Sequence, residues 1–543
     1  MIFYKTIGLI SLATGMTQLN SCIFKGENTR PNIIIILADD MGYSDIGCYE
    51  GEINTPNINY LANNGLRFSQ FYNAGRCCPT RASLLTGLYP HQAGLAHNGR
   101  NLSNNSVTIA EVLKRSGYKT GMAGKWHLSQ TIPLKNQEDQ LKWLSHQIDS
   151  GIFAPLSTYP TRRGFDEFWG VIWGVANYFD PFSLVHNEEP IKEVPENFYI
   201  TDFITDKAID MIDDFSKSED PFFLYVSYTA PHWPLHALPE DINKYRGKYD
   251  DGWDSLRIRR FNRMLKLGLF NEKNTPLAPN ESGLKWDSCR RKEWEAVHME
   301  VHAAMVDRMD QGIGRIINTL KEKKILNNTL IFFLSDNGAS PERGYKPGFD
   351  RPGHKRNGEI IKYDNYEKPG SQETWGYLGE AWAGAINSPF RYWKAESYEG
   401  GICTPMIVHW PEGLKTRPGT ITHQIGHVMD IMATCLEIAG AEYPAEYNGN
   451  LITPLEGKSL LPIFHNKKRS GHESIGWEHE GGRAFRVENW KIVALKSKRN
   501  DWELFDLSSD RTETKNLIKN NPQKAKELID LWNKWAQKMK IVE

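Results

Sequence analysis

Between Gly75 and Gly87 the chain reads GRCCPTRASLLTG, with two adjacent cysteines, a proline and an arginine inside the five residues from Cys77 to Arg81. Pro79 suits the first turn of a helix, and the residues after it continue the helix until Gly87 stops it. Cys77 and Cys78 therefore fall at a helix N-terminus, where unpaired backbone N–H groups favour an anion. Arg81 lies about one turn further on and can reach back to the same place. A thiolate there is one candidate chemistry. The phosphatase spacing, with five residues between a cysteine and an arginine, is absent, since Ser83 and Leu84 fill the two positions the arginine would need. The plainer reading is a structural cysteine pair beside a capped helix.

Other polar groups follow apolar runs in a regular way. Asp39 and Asp40 come after NIIIILA, Asp336 and Asn337 after TLIFFLS, and His232 a few residues after FFLYVSY. Lys125 and His127 stand in GMAGKWHL, after a short strand. In open α/β sheets ligands bind at the carboxyl ends of the strands, so parallel strands would gather these groups at one edge. Three carboxylates and an amide form an all-oxygen set suited to a hard divalent cation, calcium or magnesium. Each pair taken alone is more often a turn or a helix cap than a metal site, and it is their occurrence together with the cysteine segment that favours a metal.

Other signals have plainer explanations. His298 and His302 in HMEVH have zinc spacing on a helix, but Met299 stands where the metalloprotease pattern needs glutamate, so a helix face is the better account. The aromatics of WGVIWGVANYFDPF suit either the floor of a sugar site or the core. Glu342 and Arg343, just past SDNG, are placed to touch substrate or to sit on the surface.

The elements that must hold these groups follow from the pattern. Buried β-branched runs at Asn32–Asp40, from Pro221, at Thr329–Gly338 and at Thr404–Pro411 alternate with helix candidates at Trp294–Lys323 and Val428–Ala439. This predicts an α/β fold, a large mixed and mostly parallel sheet sandwiched by helices. After Pro462 the strands become short with turns between them, and Pro522–Lys540 reads as an amphipathic helix. We expect a main domain over residues 29–465 and a smaller α+β domain with a short antiparallel sheet over 466–543. The polar stretch Lys244–Arg291 reads as an irregular surface excursion.

With 65 basic and 66 acidic side chains the net charge is −1, which argues against a nucleic-acid partner. Seven cysteines in 543 residues are too few for a disulfide scaffold. The first 22 residues read as an export signal ending in LNSC. Its end resembles a bacterial lipoprotein signal with Cys22 lipidated, placing the protein in the periplasm or on the outer membrane of a Gram-negative cell, with a lipid anchor as its only membrane contact.

Taken together, Cys77-Cys78-Pro79-Thr80-Arg81 running into Leu84-Leu85-Thr86-Gly87, with ADDMGYSDIG, GKWHL, APHWPLHA, SDNG, KAESYEGGICTPMIVHWP and LFDLSSD in order, resembles the type I sulfatases. That family belongs to the alkaline-phosphatase-like superfamily. The resemblance implies that a maturating enzyme, reading Pro79 and Arg81, oxidises Cys77 to Cα-formylglycine, whose hydrate is the nucleophile. Thr80 stands where serine is commonest, which bears on maturation and not on chemistry. By the same resemblance Asp39, Asp40, Asp336, Asn337 and the modified Cys77 hold calcium, and Arg81 orients the formylglycine. Lys125 and Lys394 hold sulfate oxygens, while His127 and His232 handle protons.

The expected activity is exo-acting hydrolysis of a carbohydrate O-sulfate by a sulfuric ester hydrolase. Sulfated galactose, 3-O by preference, or N-acetylhexosamine from mucin or glycosaminoglycan is the expected substrate, with Glu342 a candidate contact. The alternatives are a phosphonate or phosphate ester hydrolase of the same superfamily, and a glycan-binding lipoprotein with a dead site.

Overall fold

The computed structural model describes Met1 and residues 30–149, 151–363 and 367–541. Cys22 and, Met1 apart, the expected export signal lie outside the described residues. Seven strands form the body of the main sheet: β1 Asn32–Ala38, β2 Leu66–Tyr72, β3 Lys119–Lys125, β4 Glu167–Val171, β5 Phe222–Ser227, β6 Thr329–Ser335 and β7 Cys403–His409. Their order is β2-β7-β6-β1-β5-β3-β4, with short strands added at both edges. The four isoleucines of β1 are fully buried, as expected of a central strand covered on both faces. The fold is the expected mostly parallel α/β sheet sandwiched by helices.

Register fixes what meets at the carboxyl edge. Leu37 pairs with Ser227, Ser227 with Gly124, and Ala38 with Ser335. The strands therefore end level, and the polar groups just beyond them converge. β7 is the exception, antiparallel to both β2 and β6. Its carboxyl end points away from this edge, so it delivers site residues from the segment that precedes it.

Four further strands, β8 Ser474–His479, β9 Gly482–Val487, β10 Trp490–Ala494 and β11 Glu503–Asp506, form an antiparallel meander. Alternation sends Ile475, Trp477, Ala484, Val493 and Phe505 into the main core. Phe485, Ile492 and Leu504 instead pack on Leu528, Trp532 and Trp535 of the Pro522–Lys538 helix.

Lys244–Arg291 is not an irregular excursion. It contains a 16-residue helix, Gly252–Leu267, with Trp253, Leu256, Arg257, Arg260 and Met264 buried. The stretch reads as polar because two of its inward groups are arginines. Arg260 is fully buried and donates to Asp45 Oδ1 at 2.9 Å and to Glu52 Oε1 at 2.7 Å and Oε2 at 2.8 Å. Burial raises the Glu52 carboxyl, but Arg260 outweighs it and brings the group down to about 2.

Breaking such a buried pair leaves uncompensated charge, so Arg260→Met should lower stability by about 3–5 kcal/mol in urea unfolding at neutral pH. Glu52 titrates below its ordinary 4.5, so its contribution is complete above 4.5 and lost as pH falls through about 2. The gap between wild type and variant should shrink across that window. A gap that widens with acid would contradict the pairing.

Candidate active site

The helix that opens at Cys77 runs to Thr86, with every residue buried, Arg76 at its N-cap and Gly87 left-handed at φ 70° after its end. Thr80 Oγ1 accepts a hydrogen bond of 3.0 Å from the Ala74 backbone N–H, bracing the turn that feeds the helix. Serine would supply the same oxygen, which accounts for threonine at this place. Cys77 is 2% exposed, and burial raises its thiol against the opposing pull of Lys125 and Lys394. A thiol held protonated in this way is a poor nucleophile.

Beyond β1 and β6 the acidic groups interlock. Asp336 Oδ1 accepts from Asp40 N at 3.2 Å, and Asn337 Nδ2 donates to Asp40 Oδ1 at 2.7 Å, which fixes the amide so that its oxygen faces the other way. Asp39 Oδ1 and Asn337 Oδ1 are buried with no hydrogen-bond partner among the described residues. Buried oxygens left over in this way need a cation or a donor. Asp39, Asp40 and His232 also present ligand atoms within 4.8 Å of one another. Gly338 follows because a Cβ there would lie 1.9 Å from the Gly400 carbonyl oxygen.

Three cations answer the carboxylates. Arg81 donates to Asp336 Oδ2 through Nε at 3.1 Å and Nη2 at 2.7 Å, and its Nη1 reaches the Lys125 carbonyl at 3.1 Å and the Ser227 hydroxyl. Lys125 Nζ meets Asp39 Oδ2 at 2.6 Å, and Lys394 Nζ meets Asp40 Oδ2 at 2.8 Å. Burial would raise the Asp39 carboxyl, but Lys125, His232, Arg81 and Lys394 hold it well below the carboxylate range. Asp336 moves the other way, pushed up by burial and by Asp39 beside it. Burial would depress the Lys394 ammonium, yet Asp40 and Glu342 hold it above its ordinary range.

Both histidines are placed as neutral groups. Burial, then Lys125 and Arg81, drives His127 well down, and its buried Nδ1 has no hydrogen-bond partner among the described residues. Its ring sits against Gly174, where a Cβ would come within 2.4 Å of Nε2. His232 is lowered chiefly by burial. Its Nδ1 lies 2.6 Å from the Trp233 carbonyl, so Nδ1 carries the proton and Nε2 faces Lys394 Nζ at 3.4 Å.

The residues read from the sequence for the metal, sulfate and proton roles therefore meet at one sheet edge with Glu342 beside them, whereas Arg343 turns away and donates to Glu295 at 3.0 and 3.1 Å. Glu342 Oε2 accepts from the Trp233 indole at 2.5 Å and lies 3.6 Å from Lys394, and its Oε1 accepts from Arg76 at 3.2 Å. Arg76, Trp233 and Ser227 are the polar neighbours that the sequence reading passed over. Arg76 and Trp233 stand directly beside Cys77 and His232 in the chain, which is the signal that could have found them. The aromatic stretch resolves mostly to core: Trp173 and Tyr178 are buried, and the Tyr178 hydroxyl braces the His232 loop from 2.7 Å of the Thr229 carbonyl. His302 pairs with Asp45 at 2.9 Å and His298 with the Trp294 carbonyl at 2.7 Å, as a helix face requires.

A mostly parallel sheet that collects carboxylates, lysines and histidines at one edge defines a hydrolase of the alkaline-phosphatase-like superfamily. The sulfatase family model matches residues 31–441, and a model described as N-sulphoglucosamine sulphohydrolase, C-terminal, matches 391–540. The chain belongs to the sulfatase family and is a sulfuric ester hydrolase. It is 32% identical to an arylsulfatase of Klebsiella aerogenes, over 82% of this chain and 94% of that one. It is 27% identical to an N-acetylglucosamine-6-O-sulfatase of Bacteroides thetaiotaomicron, over 93% and 86%. The crystal structure of Ps i-CgsB in complex with k-i-k-neocarrahexaose superposes with a TM-score of 0.65 at 25% identity, covering 93% of each chain.

The role of Thr80 can be checked by urea unfolding. Thr80→Ser should keep the bond to Ala74 and stay close to wild type, whereas the isosteric Thr80→Val should lose about 1–3 kcal/mol by leaving a buried N–H unpaired. Equal stability of the two variants would remove that role.

Proposed function

We propose that the protein is an exported, calcium-dependent, exo-acting carbohydrate O-sulfatase whose Cys77 is converted to Cα-formylglycine. The observation that carries the reading is the placing of a buried Cys77, its thiol raised, beside Lys125, Lys394 and Asp39, at a site where Asp39 Oδ1 and Asn337 Oδ1 have no hydrogen-bond partner among the described residues. Asp39, Asp40, Asp336 and Asn337 would hold the calcium, which would draw charge from sulfate oxygens. Formylglycine would supply a geminal diol, one hydroxyl to attack sulfur and the other to let sulfate leave afterwards.

The chain's own groups do the rest. Arg81, locked to Asp336 and the Lys125 carbonyl, orients the residue at position 77. Lys125 and Lys394 bind the sulfate oxygens, on which negative charge is spread throughout the displacement. As the S–O bond to the sugar breaks, the departing oxygen takes a proton from the Lys394–His232 pair, whose nitrogens lie 3.4 Å apart. His127, neutral because it is buried beside two cations, accepts the proton released when sulfate departs. The net change is sulfate ester plus water to alcohol plus hydrogen sulfate.

The sugar enters from the Glu342 side. Cys77 is 2% exposed and Lys125 fully buried, so the ester must be carried inward, which suits a chain end better than a chain interior. The carbohydrate class draws support from the N-acetylglucosamine-6-O-sulfatase relative and from the oligosaccharide bound to the structural neighbour. Within that class we favour sulfated galactose, 3-O before other positions, with sulfated N-acetylhexosamine next.

The test is tryptic mass spectrometry of the CCPTR peptide together with sulfate release from positional isomers of sulfated galactose and N-acetylhexosamine. We expect an aldehyde at position 77, loss of turnover in Cys77→Ala, and matched phosphate esters cleaved far more slowly than sulfates. An intact thiol in fully active enzyme, or faster phosphate turnover, would overturn the reading. Sugar binding without turnover by fully matured protein would do the same in favour of a dead site.

A further inference from the structure

Lys394 stands on a loop that could not hold its own shape. Tyr392 and Ala395, on either side of it, are in the left-handed region at φ 58° and 71°. Such residues persist only when their surroundings fix them. The inner side of the loop is tied to the site: Lys394 N donates to the Ala339 carbonyl at 3.1 Å, and Ala395 N to the Gly75 carbonyl at 2.8 Å, two residues before Cys77.

The outer side is held by the C-terminal sheet. Arg391, just before the loop, donates to Glu503 of β11 at 3.2 Å and to the Glu513 carbonyl at 2.7 Å. Tyr398 donates to Glu503 at 2.8 Å. Glu399, just after the loop, takes Lys491 of β10 on one oxygen at 3.0 Å, while its backbone N–H donates to Glu513 at 2.8 Å. Lys491 also reaches Glu513 at 2.7 Å. Lys491, Glu399 and Glu513 are all fully buried, with Arg511 and Tyr72 completing the cage around Glu399.

A buried triad of two carboxylates and one ammonium has little freedom, because any shift of one member leaves charge unpaired. Its member Glu513 holds the chain on both sides of the two strained positions that aim Lys394, through Arg391 next to Tyr392 and through Glu399 four residues past Ala395. We propose that the C-terminal sheet is a positioning device for Lys394, with Lys491 and Glu513 as its positioning residues. The device sets where the leaving-group proton is held, and the proposal therefore rests on the role given above to Lys394 and His232.

Lys491→Met and Lys491→Arg should be compared on 4-nitrophenyl sulfate and on phenyl sulfate, a poorer leaving group, with rates corrected for the aldehyde content at position 77. Misplacement by about 1 Å costs on the order of 10²-fold. We expect a kcat/KM loss of that order for Lys491→Met on phenyl sulfate, a far smaller loss on 4-nitrophenyl sulfate, and recovery in Lys491→Arg. In a Lys394→Ala background Lys491→Met should cause no further loss, because one residue acts through the other. Equal losses on the two esters, or losses that multiply in that background, would overturn the proposal.

If Lys491→Met does not fold, Tyr398→Phe, which removes only one hydroxyl from the clamp, should give the same contrast on a smaller scale, and an equal loss would overturn the proposal there too. Lys394→Ala by itself separates the two claims. If it shows no dependence on the leaving group, the proton role of Lys394 fails. If it does show one while Lys491→Met does not, only the positioning fails.

Discussion

Three carboxylates forced together in a dry corner set the terms for the rest of this protein. Asp39, Asp40 and Asp336 are almost wholly inaccessible, yet they stand at the ends of two neighbouring strands whose register leaves them nowhere else to go. Buried charge of one sign is tolerable only when opposite charge is brought equally deep. Arg81, Lys125 and Lys394 supply it from three separate parts of the chain, and the Cys77 helix, the end of β3 and the loop before β7 are shaped to deliver them. Lys125 and Arg81 add to the burial that lowers His127, and Lys125 and Lys394 stand beside Cys77. One electrostatic constraint thus accounts for the buried helix and for the depth at which Lys125 and Lys394 are held.

The parts that could be read from sequence are those where local and global signals agree. An unbroken apolar run followed at once by Asp-Asp or Asp-Asn is both a buried parallel strand and the edge where ligands bind, so Asp39, Asp40, Asp336 and Asn337 stood out together. Lys125 stood out for the same reason. Lys394 could not, because β7 runs the opposite way and its site residues precede the strand; only the family pattern pointed to it. Helix Gly252–Leu267 was hidden because Arg257 and Arg260 occupy its buried face, and a pattern method counts arginine as outside. Adjacency to Cys77 and His232 marks Arg76 and Trp233 as site neighbours, but their pairing with Glu342 was out of reach, since the three come from distant segments and meet only in the folded chain.

The geometry also makes the cysteine at position 77 a poor nucleophile as it stands. The thiol lies at a helix N-terminus beside two lysines, a setting that lowers a thiol in an open site. Here burial and the nearby Asp39 and Asp336 work against the lysines, and burial is the strongest influence. Charge on sulfur is therefore disfavoured at this place.

The claim that most needs testing is the cation. Isothermal titration of the metal-stripped protein with calcium, followed by anomalous diffraction from crystals of the loaded protein, tests it directly. The account predicts a single calcium per chain, held by Asp39, Asp40, Asp336 and Asn337 and lost in Asp39→Asn and Asn337→Leu. Calcium bound elsewhere, or bound undiminished by those two substitutions, would contradict it.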